Sequence, residues 1–305
     1  MRPMKLGLVL PMLEVPPTGE KPTWDLIRTM ALRAEEIGFD TVWIPDELLW
    51  RPQEWPGPRG FWECVAMAGA VAAVTSRIEV GTWVLSALHR NPGLTAKAVE
   101  TLDEVSGGRF LLGLGSGHAG AQGKTFGYPP DHTIGRYEEA LQIIVPLLRE
   151  GRADFAGKYH AAVDLEQRPR GPRPGQIPIM LGAHKRRTMG LAVRHADIWS
   201  AFATESSLPE AFEPMVAQLD EICAEQGRDP SSLGRSVGVI IETTDDHRAE
   251  ESGMGVPISG SAQEMAATLG RFGGMGFTRV ELMLWENSLP GLEGAAEVVR
   301  LLGGG

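Results

Sequence analysis

The stretch GSGHAG, Gly115 to Gly120, combines glycines that let backbone N–H groups approach an anion with His118, a side chain that exchanges protons near neutral pH. Its spacing, G-x-G-x-x-G, is that of a dinucleotide-binding loop, which needs a helix to begin directly after the glycines. Here AQGKTFGYPPDH follows, and the pair Pro129-Pro130 predicts no helix before about Thr133. The sequence therefore argues against a Rossmann site, and the glycines need another explanation.

The composition limits the class of protein. The net charge of −10 disfavours a nucleic-acid surface, because phosphate binding needs clustered Lys and Arg. Cys64 and Cys223 have no Cys or His grouping around them, so neither a disulfide framework nor a metal site is predicted. No stretch has the ~20 apolar residues that span a bilayer, and MRPMKLGLVLP is too short for a signal peptide. We expect a cytoplasmic protein that binds no membrane.

Short β-branched runs alternate with long helical ones. The predicted strands are 5–11, 41–45, 78–85, 109–115, 178–183, 197–202, 236–244 and 278–285. The predicted helices are 23–39, 61–75, 92–105, 133–149, 185–195, 209–226, 262–273 and 292–302. Eight such units predict a (β/α)8 TIM barrel as a single domain over residues 1–305, with an open doubly wound sheet as the alternative. Residues 151–176 are predicted to be an insertion after the fourth unit, with a hairpin and a Pro/Arg-rich loop.

Four segments together resemble the bacterial luciferase-like flavin-dependent superfamily. They are DTVWIPDELL, IEVGTWVL, HRNPGLTAKAVETLDEVSGGRFLLGLGSG and IPIMLGAHKRRTMGLAVRHADIWSAF, and the strongest is the run from Arg90 to Gly117. The resemblance covers essentially the whole chain. DTVWIPDELL resembles the branch that uses coenzyme F420, a 5-deazaflavin, because the Glu-His-His element usual in the monooxygenase branch is missing after strand two. FMN is the alternative cofactor.

The resemblance implies that the tricyclic ring of the cofactor lies at the end of strand three. In the family a bulge with a non-proline cis peptide supports the ring there, and alignment puts that bond between Trp83 and Val84 in GTWVLS. We expect Trp83, Val84 and Ser86 to bind the cofactor. An ordinary strand end with a buried tryptophan is the alternative.

The resemblance also implies the groups that transfer protons. Dehydrogenase members carry Asp-His after strand two, whereas this chain has Asp46 and Glu47. We expect Asp46 beside the ring and Glu47 in the role of the histidine, which would require burial to raise its pKa. His118 stands where sugar-phosphate dehydrogenase members have a glutamate, so it is the second candidate for proton transfer. Each of these residues could instead be an ordinary loop residue.

The cofactor phosphate is expected at two places. One is the loop of Gly115, Ser116 and Gly117, where a side chain at Gly117 is expected to block the anion with little effect on the fold. The other is Gly182, Ala183 and His184, which end strand five and open a helix whose free N–H groups attract phosphate. The loop 168–174, RPRGPRP, offers a further positive patch for an acidic cofactor tail, or faces solvent.

These expectations together predict an F420-dependent oxidoreductase that transfers a hydride between the deazaflavin C5 and a small organic substrate. The alternatives are an FMN-dependent luciferase-like monooxygenase and a non-catalytic flavin-binding protein. Residues 61–74 form a helix that is apolar almost all round, which predicts a homodimer through this helix and its neighbours.

Overall fold

The structure is a computed structural model that describes residues 4–15, 18–51, 57–117, 122–129, 131–202, 205–244 and 255–303. Its strands are β1 (Lys5–Val9), β2 (Thr41–Ile44), β3 (Leu49–Trp50), β4 (Arg59–Gly60), β5 (Glu79–Thr82), β6 (Leu85–Ser86), β7 (Phe110–Gly115), β8 (Arg152–Ala156), β9 (Ala161–Glu166), β10 (Ile179–Gly182), β11 (Ile198–Phe202), β12 (Gly234–Ile241) and β13 (Arg279–Leu284). Its α-helices are α1 (Trp24–Ile37), α2 (Cys64–Val74), α3 (Pro92–Val105), α4 (Lys124–Phe126), α5 (Thr133–Glu150), α6 (Arg186–His195), α7 (Glu213–Glu225), α8 (Ala262–Gly274) and α9 (Leu289–Gly303).

The parallel strands form a closed sheet. Pairing runs β1-β2-β5-β7-β10-β11-β12-β13 and returns from β13 to β1, while the short β6 extends the third strand along β7. Closure confirms the predicted (β/α)8 barrel and removes the open sheet as an alternative. In such barrels the loops that follow the strands form the active site, so we expect the functional residues of this protein at the C-terminal ends of its strands.

Two compact units divide the chain. One comprises residues 1–11, 23–43 and 182–305, and the other comprises residues 12–22 and 44–181. The second unit contains the loops after β2, β6 and β7 together with the insertion. The candidate residues from Asp46 to Gly117 therefore belong to one unit, and Gly182, Ala183 and His184 belong to the other.

Capping residues explain why the helix bounds agree with the sequence. The Thr23 hydroxyl accepts a hydrogen bond from Leu26 N at 3.2 Å, and Gly38 ends α1 with a φ of 98°, a conformation that favours glycine. Asn91 Oδ1 accepts from the Gly93 and Leu94 amides at the start of α3. These side chains satisfy amide groups that a helix leaves free at its first turn.

The third barrel strand is interrupted at Trp83 and Val84. β5 ends before this pair, β6 begins after it, and the Trp83–Val84 peptide bond is cis. The Trp83 amide donates to the Ile44 carbonyl at 2.9 Å, which ties the interruption to the end of β2. The bulge and the cis bond that the resemblance implied are confirmed.

The insertion contains the predicted hairpin, in which β8 and β9 pair antiparallel. Its turn is held by α5, because the Glu139 carboxylate accepts from the Lys158, Tyr159 and His160 amides at 2.8, 2.6 and 2.9 Å. Three successive N–H groups that converge on one carboxylate form a strong anchor. The position of the turn therefore depends on the helix rather than on the strands alone.

The Pro/Arg-rich loop after the hairpin is not a free positive patch. Arg170 Nε donates to Glu100 at 2.6 Å and Arg173 Nε donates to Asp103 at 3.1 Å, and both carboxylates are buried on α3. Arg173 also donates to the carbonyl of Phe110, the first residue of β7. The loop therefore packs at the start of β7, away from the strand end where a cofactor tail would bind.

Two features of the fold were not predicted, the small sheet of β3 and β4 and the short helix α4. β3 and β4 form a small antiparallel sheet in the loop after β2, so the second barrel helix begins at Cys64 rather than Phe61. The expectation that no helix begins before Thr133 is wrong, because α4 forms one turn that Gly127 ends at a φ of 77°. That turn begins only at Lys124, past the glycine motif, and a dinucleotide loop would require it earlier.

A polar cluster is buried among β1, β2, β12 and β13. The fully buried Glu281 carboxylate accepts from Trp43 Nε1, from Ser236 Oγ at 2.9 Å and from Arg279 Nε at 3.1 Å. Gly7 provides the space for this cluster, since a Cβ there would overlap Glu281 Oε2 and Trp43 Nε1. A buried charge is tolerated only with such partners, so the glycine is as necessary as the ion pair.

Gly7→Ala is expected to destabilise the protein by about 1–3 kcal/mol, because the added methyl group displaces partners of a buried charge. Gly270→Ala is the matched control, since a Cβ at that exposed position of α8 meets nothing within 4 Å. The control should be neutral or slightly stabilising, because alanine favours helices. Urea unfolding measures both, and equal free energies for the two variants would contradict the packing argument.

Candidate functional site

Asp46 joins the end of β2 to the end of β6 and the start of α3. Its buried carboxylate accepts from the Ser86 amide at 2.8 Å and from Arg90 Nη1 and Nη2 at 2.7 and 3.0 Å. His89 Nδ1 lies 3.3 Å from the same carboxylate. Arg90 also binds Glu63, whose other oxygen caps α2. Asp46 is thus surrounded by protein donors and anchors neighbouring loops.

The charge state of Asp46 follows from these contacts. Burial by itself would raise the pKa of Asp46, but the contact with His89, the hydrogen bonds and charge of Arg90 and the Ser86 amide outweigh it. The pKa of Asp46 therefore lies below the usual value of an aspartate. This carboxylate is ionised at neutral pH and serves to hold Ser86 and Arg90 in place.

Glu47 is half-buried, and its side chain contacts residues other than the partners of Asp46. Its Oε2 accepts from Gln122 Nε2, and Trp50 Nε1 lies 3.4 Å from the same oxygen. Gln122 Oε1 in turn accepts from the amides of Leu48 and Leu49 at 2.7 and 3.3 Å. The structure therefore brings Glu47 together with Gln122, which follows GSGHAG in the sequence, and the proton-transfer role of Glu47 stays a prediction.

The glycines at the end of β7 and just after it make room for the third barrel strand. A Cβ at Gly115 would lie 2.7 Å from Val84 Cγ2, and a Cβ at Gly117 would overlap Ser86 Oγ. Gly117 also has a φ of 77°, where any other residue is strained. The expectation that Gly117 accepts a side chain with little effect on the fold is therefore wrong. Close contact between protein segments already explains these two glycines.

The remaining candidates fall in different places. Ser116 follows β7 and is half-buried, whereas His118 lies outside the described residues and its role stays a prediction. His184 is exposed, and its Nε2 accepts from the Phe202 amide at 3.1 Å, which places the proton of the neutral ring on Nδ1. Gly182 ends β10 and Ala183 is buried beside it. The phosphate role of these three residues also stays a prediction.

A cavity of about 250 Å³ lies at the turn between β6 and α3. It is lined by Ala87, Leu88, His89, Arg90, Asn91, Pro129, Arg136 and His160. The Arg136 side chain donates to the exposed Asp131 and lies over the Tyr159 ring at 4.5 Å. Burial lowers the pKa of His160, the Glu139 charge opposes this and the Arg136 charge adds to it, so the net shift is downward. This lining can hold an anionic group.

Sequence reasoning missed five residues of this region: His89, Arg90, Gln122, Arg136 and His160. Arg90 was noted only as the start of a family motif, and its contact with Asp46 spans 44 positions.

Among the described residues, no group of three or more His, Cys, Asp or Glu side chains is placed to hold a metal ion. Over the same part of the chain, no helix is both long and apolar enough to cross a membrane.

Comparison with known proteins agrees with this fold. The family model described as luciferase-like monooxygenase matches residues 4–280, so the chain belongs to this family, whose members are oxidoreductase enzymes. Pyrimidine monooxygenase RutA of Agrobacterium fabrum is 29% identical over 236 residues, which is 74% of this chain and 63% of that protein. The chain thus spans less than two thirds of the length of this relative.

Two solved structures share the fold. An F420-dependent secondary alcohol dehydrogenase in complex with an F420-acetone adduct has a TM-score of 0.79 and 18% identity, over 99% of each chain. EDTA monooxygenase (EmoA) from Chelativorans sp. BNC1 has a TM-score of 0.79 and 16% identity, over 99% of this chain and 94% of that one. At such low identity the likeness establishes the barrel.

Asp46→Asn is expected to destabilise the protein by roughly 3 kcal/mol at about pH 7.5, because it leaves part of the Arg90 charge without its buried partner. Since the folded-state pKa of Asp46 is lowered, its stabilisation is present above the unfolded pKa and is lost as pH falls through the folded value. The difference in the free energy of unfolding between Asp46→Asn and wild type, measured in urea, should therefore become smaller below about pH 4.

Glu63→Gln is the matched control, because Glu63 binds the same arginine from a half-exposed position and glutamine can still accept from the Ala66 amide. Its cost should be about 1 kcal/mol or less. An Asp46→Asn variant as stable as this control would show that Asp46 is not the anchor of the loops.

Proposed function

We propose that the protein is a flavin-dependent monooxygenase that uses reduced FMN and dioxygen to oxidise a small organic substrate. The supporting observation is that the loops after β2, β6 and β7 are fixed against one another at Asp46 and Ser86, in a chain whose relative RutA is a monooxygenase. When bound, reduced FMN would supply two electrons to dioxygen, so that one oxygen atom enters the substrate and the other leaves as water.

The side chains of this chain supply position and protons. Trp83, Val84 and Ser86 would support the ring, and the rigid Asp46 contacts would hold that platform in place. Glu47 remains the candidate for proton transfer within the described residues, since it is half-buried at the end of β2 and has a fixed hydrogen-bond donor. His118 is the second candidate.

The cavity at the β6–α3 turn fits the phosphate of the cofactor. At about 250 Å³ it is smaller than the ~300–1,000 Å³ of sites for whole ligands, so it would take the phosphate end and leave the ring outside. Arg136 can exchange its exposed partner Asp131 for phosphate, and the buried His160 Nε2 has no hydrogen-bond partner in the part of the chain that the structure describes. An imidazole nitrogen and a guanidinium suit an anion.

An F420-dependent hydride transfer is the second candidate. The observation in its favour is the Asp46-Glu47 pair after β2, where the monooxygenase branch usually carries histidines. Here Glu47 would exchange the proton that accompanies the hydride moved between the deazaflavin C5 and the substrate. Both proposed functions would use Trp83, Val84 and Ser86 to support the ring of the cofactor. A binding experiment therefore has to distinguish FMN from F420.

Titration of the protein with FMN, riboflavin and F420 is expected to show tightest binding of FMN. Riboflavin lacks the phosphate and should bind about tenfold or more weakly, because charge-assisted hydrogen bonds are lost. Stopped-flow mixing of the reduced complex with oxygen should then show oxidation that uracil or another small ring compound accelerates.

Other outcomes have defined meanings. Binding of F420 alone, with substrate reduced or oxidised in the absence of oxygen, would replace the monooxygenase proposal by the hydride-transfer one. Cofactor binding without turnover of any substrate tested would favour a non-catalytic flavin-binding protein.

We also propose that the protein is a homodimer through α2. This helix has no charged residue, and its exposed or half-exposed positions are Val65, Ala66, Met67, Gly69, Ala70, Ala73 and Val74. Apolar surface of this kind favours association. Light scattering should give twice the 33.0 kDa of one chain, and Ala73→Glu should give the mass of a monomer. A monomeric wild type at micromolar concentration would contradict the proposal.

A further inference from the structure

Gln122 is a polar side chain that the fold buries. Only 7% of its surface is exposed, and it lies just past the glycine motif, between β7 and α4. Burying an amide is unfavourable unless its donors and acceptor are satisfied. The partners of Gln122 therefore indicate why a glutamine stands at this position.

Three side-chain hydrogen bonds of Gln122 to described residues reach consecutive positions in the loop after β2. Its Oε1 accepts from the amides of Leu48 and Leu49, and its Nε2 donates to Glu47 Oε2. These partners fix the orientation of the amide, because the reverse orientation would set N–H against N–H and oxygen against a carboxylate. An ionised glutamate could accept both bonds but could not donate, and a lysine could donate but not accept.

We propose that Gln122 is a positioning residue for Glu47. Its acceptor oxygen holds the backbone at Leu48 and Leu49, and its N–H directs the Glu47 carboxylate through a charge-assisted hydrogen bond. The segment after β7 thereby sets the geometry of the acid or base that follows β2. The inference rests on the proposed role of Glu47 in proton transfer, and it holds for either cofactor.

Two substitutions separate the donor function from the acceptor function. Gln122→Glu keeps oxygens that accept from the Leu48 and Leu49 amides but removes the N–H that binds Glu47. Gln122→Met has a similar length and removes both functions. Gln226→Glu controls for the added charge, since Gln226 is exposed at the end of α7, and among the described residues its side chain donates to the Gly190 carbonyl at 3.3 Å.

We expect Gln122→Glu to keep the hydrogen-exchange protection of residues 47–50 and to lower kcat about tenfold or more, with KM changed less than about threefold. Gln122→Met should lose both protection and kcat, and Gln226→Glu should match wild type. Wild-type kcat in Gln122→Glu together with a loss in Gln122→Met would show that Gln122 only clamps the backbone, which would overturn the inference.

A second readout needs neither cofactor nor turnover. In nitrogen-15 NMR spectra of the free protein, the side-chain amide signals of Gln122 should move when Glu47 is changed to Gln, because the acceptor loses its charge. Signals that stay in place would overturn the hydrogen bond itself.

Failure of the proposed role of Glu47 has a different signature. Wild-type turnover in Glu47→Gln would remove Glu47 from proton transfer, and the positioning role would fall with it. Loss of turnover in Glu47→Gln with wild-type turnover in Gln122→Glu would overturn the positioning role alone.

Discussion

One buried charge, the carboxylate of Asp46, is the contact on which the arrangement of the site depends. It follows β2 and binds the Ser86 amide and the Arg90 side chain, so this carboxylate connects the loop after β2 with the loop after β6. Ser86 in turn leaves no room for a Cβ at Gly117 after β7. Asp46 therefore fixes the position of Ser86, and Ser86 in turn limits where the backbone at Gly117 can lie. The charge of Asp46 acts by holding the backbone of neighbouring loops in place.

Several other charged groups serve structure in the same way. Arg170 and Arg173 neutralise buried carboxylates of α3, and Glu139 fixes the hairpin turn. Arg136 is different, because its partner Asp131 is exposed and Arg136 lines the cavity. An exposed ion pair is worth little, so this arginine can change partners at small cost. Among the described residues that line this cavity, Arg136 is therefore a cation that can bind a ligand, whereas Arg90 is held by the buried Asp46.

The sequence alone is enough to predict the barrel, since alternating periods and capping residues such as Thr23 and Gly38 are local properties. The interruption at Trp83 and Val84 was predicted only through the family resemblance. The partners of Asp46 and Glu47 could not be predicted, because Arg90 and Gln122 are 44 and 75 positions away and no spacing rule connects them. The short helix α4 was not predicted, because Pro129 and Pro130 shortly after it argue against a helix in this segment.

The hairpin of the insertion has a consequence for the evolution of new specificities. Its turn is secured by a single carboxylate of α5, and it contributes His160 to the wall of the cavity. None of the paired strands of the barrel runs through this segment. The hairpin is therefore a module: its strands can lengthen, shorten or be exchanged while Glu139 keeps the turn, and each exchange alters one wall of the cavity and leaves the barrel intact.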